Sequence, residues 1–399
     1  MPLRDPKYDP NNDKRRNIAA LKERLAERQR IGEVGVRRTE ILAPMIHKGR
    51  GAVSRRAGRF ETERIDHDEE THEAAFADPD IPPGLETTVT VETPRRALSF
   101  HNSPDLPFDR SVNPYRGCEH GCVYCYARPS HSYMGLSPGL DFESRLFAKK
   151  DIAGCLAKEI NAPNYQVAPI ALGSNTDPYQ PIERQWRLTR SILETLSAAN
   201  HPCSIVTKST LVRRDIDILA PMAKKGLVCV FISLATLDDC LARHMDPRAP
   251  APAQRAKVVA ELAQAGIPTG VMVAPIIPGL TDPEIESILR AVAHAGAMTA
   301  YYTLLRLPYE LKDLWREWLD VHYPDRARKV MSHIHQIRGG RDNDPRFGKR
   351  FSGEGVLADV IRQRFYKARK RYGLMRALPA LRRDLFCRTM GQIGLFDAP

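Results

Sequence analysis

The chain has 399 residues, 42% of them hydrophobic and 27% charged, with 31 prolines and a formal net charge of +12. This composition excludes a fibrous or wholly disordered chain and leaves room for one large domain with extensions or for two ordinary ones. No apolar run approaches the roughly 18 residues of a spanning helix, and the charged N-terminus lacks an apolar signal core. The expectation is a cytoplasmic protein with no membrane partner, whose eight cysteines are buried small hydrophobes plus a metal or redox site, not a disulfide framework.

Residues 1–95 alternate charges and turn formers and predict a basic extension. Only "NIAALKERLAERQRI" has helical spacing, through Ile18, Leu21, Leu25 and Ile31. Further on, "HKGRGAVSRRAGRFE" is basic and glycine-rich, suited to wrapping the main domain or to contacting phosphates. The core is expected over 96–325. Short apolar runs bounded by turn residues read there as buried parallel strands: "APIALGS", "CSIVTKS", "LVCVFISLAT", "TGVMVAPIIP" and "AYYTLLRLP". Between them lie helical segments, "ERQWRLTRSILETLSAAN", "RRDIDILAPMAKKG", "PAQRAKVVAELAQAG" and "DPEIESILRAVAHAG", the last three closing on Gly226, Gly266 and Gly296 as C-caps. With a short strand before the clustered cysteines there are six βα units. They predict an α/β fold, a partial (β/α)6 TIM-like barrel with N- and C-terminal extensions; an open doubly wound sheet is the alternative.

Residues 326–390 predict a basic helical region. Arg326 to Arg388 holds 18 Lys+Arg against 5 Asp+Glu, an excess of 13 that covers the whole net charge. Phe365, Tyr366 and Tyr372 interleave with these cations, a pattern suited to a nucleic-acid backbone, although a solvated basic face has the same composition.

The chemistry is concentrated in "NPYRGCEHGCVYCYARPSHSY", where Cys118, Cys122 and Cys125 are spaced C-x3-C-x2-C. Three thiolates on one short loop suit a [4Fe-4S] cluster with one iron left open for a substrate or cofactor. A structural zinc ion needs four ligands, so His120 or His131 would have to complete its tetrahedron. Strand ends carry the site in barrels of this kind. Here they read "GSNTDPYQP", "TKS", "SLAT", "APIIPG" and "LLRLP".

With Tyr124 placed just before the third cysteine, the motif resembles the radical S-adenosylmethionine (SAM) superfamily. The blocks "SVNPYRGCEHGCVYCYARPSH", "LSPGLDFESRLFAKK", "GSNTDPYQPIE", "DPRAPAPAQR" and "LRLPYEL" resemble more narrowly the bacterial group related to spore photoproduct lyase, DNA repair photolyase-like proteins. The resemblance implies a [4Fe-4S] cluster held by Cys118, Cys122 and Cys125, with SAM as the second cofactor. Tyr124 would shield the cluster or approach the adenine. Ser174, Asn175 or Asp177 would meet the SAM amino group, where superfamily members have Gly-Gly-Glu, and Ser233 and Thr236 its ribose and carboxylate. Arg243 and Arg306 are candidate carboxylate or phosphate partners. An electron donor such as flavodoxin or ferredoxin is implied. The expected activity is reductive SAM cleavage to a 5′-deoxyadenosyl radical that acts on nucleic acid, in repair or modification. One alternative is radical modification of a protein or small molecule; another is a zinc-stabilised nucleic-acid-binding protein without catalysis.

The lyase uses an additional cysteine as hydrogen donor, and none of Cys155, Cys203, Cys229, Cys240 or Cys387 aligns with it. All five read as buried hydrophobes. The terminal "GQIGLFDAP" resembles the peptide by which repair proteins dock on the bacterial sliding clamp, through Gln392, Leu395 and Phe396.

Overall fold

The computed structural model describes residues 46–61 and 85–388. The helix expected over "NIAALKERLAERQRI" and the clamp-like residues Gln392, Leu395 and Phe396 lie outside them. The strands are β1 Thr88–Glu92, β2 Leu98–Phe100, β3 Arg110–Val112, β4 Tyr115–Arg116, β5 Arg145–Lys149, β6 Ile170–Leu172, β7 Cys203–Thr207, β8 Val228–Ser233, β9 Thr269–Ile276 and β10 Thr299–Leu304. The longer helices are α1 Ile152–Asn161, α2 Leu188–Ala198, α3 Ile216–Lys224, α4 Pro252–Gln264, α5 Ile285–His294, α6 Leu311–His322, α7 Pro324–Ile337 and α8 Val356–Arg371.

The main sheet has the order β10-β9-β8-β7-β6-β3-β2. Its six strands from β3 to β10 pair in parallel, and β2 adds an antiparallel edge to β3. Ile170 and Leu172 of β6, Val228, Val230 and Ile232 of β8, and Val271 and Val273 of β9 are buried against Ile192, Leu193 and Leu196 of α2 and Val258 and Val259 of α4. Strands covered on both faces need continuous apolar runs, which is why β6 to β10 were legible. This is an α/β fold with a mostly parallel sheet, the partial barrel expected from the sequence. Gly226, Gly266 and Gly296 end their helices at φ of 70°, 73° and 91°.

Two features depart from the sequence reading. "ERQWRLTRSILETLSAAN" is not one helix: Arg187 takes a left-handed φ of 53°, separating a turn at Glu183–Trp186 from α2. The Glu183 carboxylate spans the break and accepts the Thr189 amide at 3.0 Å. A second, three-stranded sheet of order β1-β5-β4 was not expected. Its β4 leads directly into the cysteine loop.

The two basic segments are largely engaged in structure. In 50–59, Arg55 pairs with Asp141 at 2.9 Å, Arg56 with Glu317 at 2.6 Å and Arg59 with Glu310 at 2.8 Å. That segment wraps the core. In the C-terminal region, α7 and α8 place Ile337, Ile361 and Phe365 in the main core. Arg364 pairs with Glu286 at 2.7 Å, and Arg369 donates to Thr299 Oγ1 at 2.8 Å. Residues 382–388 cross the N-terminal ends of the strands. There the Arg382 amide donates to the Gly226 carbonyl at 2.9 Å and the Cys387 amide to that of Ala199 at 3.0 Å. No helix among the described residues is long and apolar enough to cross a membrane.

Candidate active site

The cysteine loop follows the C-terminal end of β3 and is fixed from behind by a buried ion pair. Arg128, fully buried, donates to the carbonyls of Cys122 at 2.8 Å, Gly121 at 3.1 Å and Gly139 at 2.8 Å, and pairs with the equally buried Glu143. Glu143 also accepts the amides of Gly51 and Ala52, each at 2.8 Å. Gly51 passes so close to the loop that a Cβ there would stand 1.8 Å from the Gly121 carbonyl. Gln180 completes the frame, accepting the Glu119 amide at 2.9 Å and donating to the Gly117 carbonyl at 3.1 Å.

The three thiols lie within reach of one another's fields. Cys118 and Cys122 are each 7% exposed, Cys125 is partly buried, and the fields of Cys118 and Cys125 act on Cys122. Burial raises all three thiol pKa values. Opposing this, the amides of His120 and Asp177 favour the Cys118 thiolate and that of Ala127 the Cys125 thiolate. Buried thiols, two of them with amides turned to sulfur, fit a cluster that takes one thiolate per iron. Among the described residues no group of three or more His, Cys, Asp or Glu side chains closes on a single ion. The imidazoles considered for zinc are committed elsewhere. His120 Nδ1 lies 3.3 Å from Asp177, and His131 Nε2 lies 3.0 Å from the Arg145 carbonyl with its ring edge-on to Phe142.

Facing the loop are the ends of β6, β7, β8 and β10. After β6, Ser174 and Asn175 are gathered by Asn113, whose side chain donates to Ser174 Oγ at 3.1 Å and accepts the Asn175 amide at 3.0 Å. Tyr126 donates to the Ser174 carbonyl. Both oxygens of Asp177 are engaged: Oδ1 accepts from Thr207 Oγ1 at 2.6 Å and Oδ2 from the Lys208 amide at 2.8 Å. Burial alone would raise the Asp177 pKa, but His120, Thr207 and the Lys208 amide hold it at about 2. Asp177 thus ties the cysteine loop to the end of β7. Thr236 is similarly occupied, donating to Glu284 and accepting the Asp238 amide at 3.0 Å. By contrast, the Ser233 hydroxyl has no hydrogen-bond partner among the described residues. Tyr124 is buried, with its hydroxyl beside the Asp246 carboxylate. Arg243 is exposed on the helix Asp239–Met245.

Sequence reasoning missed Lys208, the central residue of "TKS". Its ammonium forms no hydrogen bond or ion pair with a described residue, and lies 5.6 Å from the centre of the Tyr124 ring. Burial would lower its pKa, yet Cys122, Asp246 and Asp177 hold it above the ordinary value. Asn113, Arg128 and Glu143 were missed as well. Their partners lie up to 93 positions away, and only a tertiary contact reveals them.

The remaining cysteines correct one expectation. Cys203 and Cys229 are buried in β7 and β8, and Cys155 is partly buried, donating to the Pro94 carbonyl at 3.3 Å. Cys240 and Cys387 are exposed, not core residues. Cys240 opens a short surface helix, and Cys387 rides on the segment crossing the barrel floor.

The profile of the Radical SAM superfamily matches residues 112–292. An uncharacterised protein of Mycobacterium tuberculosis is 38% identical over 226 residues, covering 56% of this chain and 66% of that protein. One of Methanocaldococcus jannaschii is 27% identical over 215 residues, covering 54% of this chain and 76% of that protein. Among solved structures, a spore photoproduct lyase variant superposes with a TM-score of 0.52 at 17% identity, over 79% of this chain and 86% of the other. Spore photoproduct lyase complexed with dinucleoside spore photoproduct gives 0.51 at 18% identity, over 71% and 79%. At these identities the structural likeness is one of fold.

Proposed function

We propose, from the radical SAM domain that residues 112–292 form, that this chain is an enzyme that cleaves SAM reductively and applies the resulting radical to nucleic acid. The cofactors of such a domain are a [4Fe-4S] cluster and SAM. Bound together, they supply a one-electron cleavage to methionine and a 5′-deoxyadenosyl radical that takes a hydrogen atom from the substrate.

The chain's own residues have definable parts. Cys118, Cys122 and Cys125 would hold three irons and leave the fourth open. Lys208, an unpaired ammonium beside the thiols, would bind the SAM carboxylate. Ser174 and Asn175, held in place by Asn113, offer hydroxyl and amide groups to the SAM amino end. Ser233 offers a free hydroxyl to the ribose, and Tyr124 closes the site below. Asp177 and Thr236 act as positioning residues through the bonds described above. Arg128 and Glu143 keep the loop rigid and dry, which protects a radical from quenching.

The observation that carries the reading is the gathering of three neighbouring thiols and one unpaired ammonium at the strand ends. Nucleic acid as substrate is supported by the exposed cations Arg328, Lys329, Lys367 and Lys370, none of which has a carboxylate partner among the described residues. The half-exposed Tyr126 at the mouth, 49% accessible, adds a surface on which a base can stack. Cys203 and Cys229 are buried within β7 and β8, and hydrogen return by a thiol of this chain is not part of the proposal. The test is 5′-deoxyadenosine formation under anaerobic dithionite, with and without ultraviolet-irradiated DNA, undamaged DNA, RNA or a casein digest. Acceleration by a nucleic acid supports the reading; acceleration by the peptides alone would move the substrate to protein.

A further inference from the structure

A guanidinium carries five N–H donors and a permanent charge, so a partly buried arginine is stable only where acceptors surround it. Arg110, Arg128, Arg255 and Arg338 obey this rule, each bonded to carboxylates or carbonyls even where, in Arg255 and Arg338, one nitrogen stays unpartnered. Arg306 does not. It forms no hydrogen bond and no ion pair with any described residue, and its Nε is buried without a partner. Its guanidinium carbon lies 5.7 Å from the centre of the Tyr126 ring and 5.1 Å from that of Phe351. The nearby Arg350 adds like charge. Asp105, the acid in reach, is already taken: its oxygens accept the Gly348 amide at 2.8 Å and Arg350 Nε at 2.7 Å.

We infer that Arg306 is the seat for a phosphodiester of the substrate strand, at the barrel mouth and separate from the cofactor's anion seat at Lys208. The inference rests on the nucleic-acid reading above. A guanidinium flanked by aromatic rings keeps its hydrogen-bonding edge for an oxyanion lying in its plane, the geometry in which arginine binds phosphate through two bonds. Two oxyanions are available to this protein, the SAM carboxylate and a backbone phosphate. Position separates them. Lys208 is the inner cation, beside Cys122 and Tyr124, whereas Arg306 is the outer one, sharing Phe351 with Arg350. Tyr126, whose hydroxyl feels both cations, stands between. A strand lying across the mouth would place one phosphate on Arg306 and an adjoining base against the exposed face of Tyr126.

The test uses the anaerobically reconstituted full chain and two variants, Arg306→Met and Arg306→Lys. Affinity for a short single-stranded DNA and its RNA counterpart is read by fluorescence anisotropy across a salt series, SAM affinity by equilibrium dialysis, and melting temperature separately. Arg306→Met should weaken oligonucleotide binding by about tenfold to a hundredfold, and the salt slope should fall by about one phosphate contact. Arg306→Lys should recover part of the affinity, as a point charge without the planar fork. SAM affinity should stay the same. The melting temperature of Arg306→Met should equal or exceed that of the wild type, since an uncompensated charge is removed; a purely structural role predicts a fall. Loss of SAM binding with oligonucleotide binding intact would assign the seat to the cofactor and overturn the inference. Oligonucleotide binding that is strong in the wild type and undiminished in Arg306→Met would overturn the seat alone. A wild type that binds neither oligonucleotide would overturn the nucleic-acid reading and the seat with it.

Discussion

Behind the cysteine loop, Arg128 is wholly buried and its donors reach backbone carbonyls and the Glu143 carboxylate; in front of the loop, Arg306 lies between Tyr126 and Phe351 with no acceptor among the described residues. Both are arginines of one barrel end. The first is a closed network, whose effect is to fix the chain path through Gly121, Cys122 and the 50–53 segment. The second is an open valence, as is Lys208 beside the thiols. Charge that is satisfied within the chain builds the scaffold, and charge left unsatisfied marks where something else must bind. The same contrast separates the two basic segments: the arginines of 55–59 are paired with carboxylates, while Arg328 and Lys329 face solvent.

The largest effect should come from the thiols. Cys118→Ala, Cys122→Ala or Cys125→Ala should each abolish 5′-deoxyadenosine formation, measured by chromatography after anaerobic dithionite treatment. Cys387→Ala, exposed on the opposite face, should leave it intact. Opening the closed network comes next. Glu143→Ala leaves Arg128 buried and uncompensated and should cost about 3–5 kcal/mol in urea denaturation. A cost near zero would mean that the loop is held by its backbone bonds alone. Third, Lys208→Met should weaken SAM binding by about tenfold, with Lys208→Arg intermediate, by equilibrium dialysis.

The parts of this account that were legible in the sequence share one property: their signal is local. Each strand from β6 to β10 is a largely buried apolar run, and three thiols in one loop announce themselves. The sheet β1-β5-β4 had no such signal, because Thr88–Glu92 has no buried residue and β4 is only two residues long. Asp177 was read as a SAM partner because it sits at a strand end. Only its contacts with Thr207, Lys208 and His120 reveal that its oxygens are committed. Lys208 looked like an ordinary polar turn residue until its surroundings were visible.

A smaller effect tests the closed side of the barrel at its floor. Burial lowers the His201 pKa to about 4 despite its bond to the Pro202 carbonyl, against an ordinary 6.5. The unfolded chain therefore binds more protons between those values. Stability from this residue is full above about pH 6.5 and declines as the pH falls through 4. Urea midpoints at pH 7 and pH 4.5 should differ less in His201→Gln than in the wild type, by about 1–2 kcal/mol in stability.

The central claim is that three thiolates hold a cluster whose remaining iron is open to SAM. It is tested most directly by electron paramagnetic resonance of the reconstituted, dithionite-reduced protein during a SAM titration. The account predicts about four irons and four sulfides per chain and a reduced-cluster signal that changes shape as SAM saturates. A protein that assembles no cluster, or one whose signal is indifferent to saturating SAM, would contradict it.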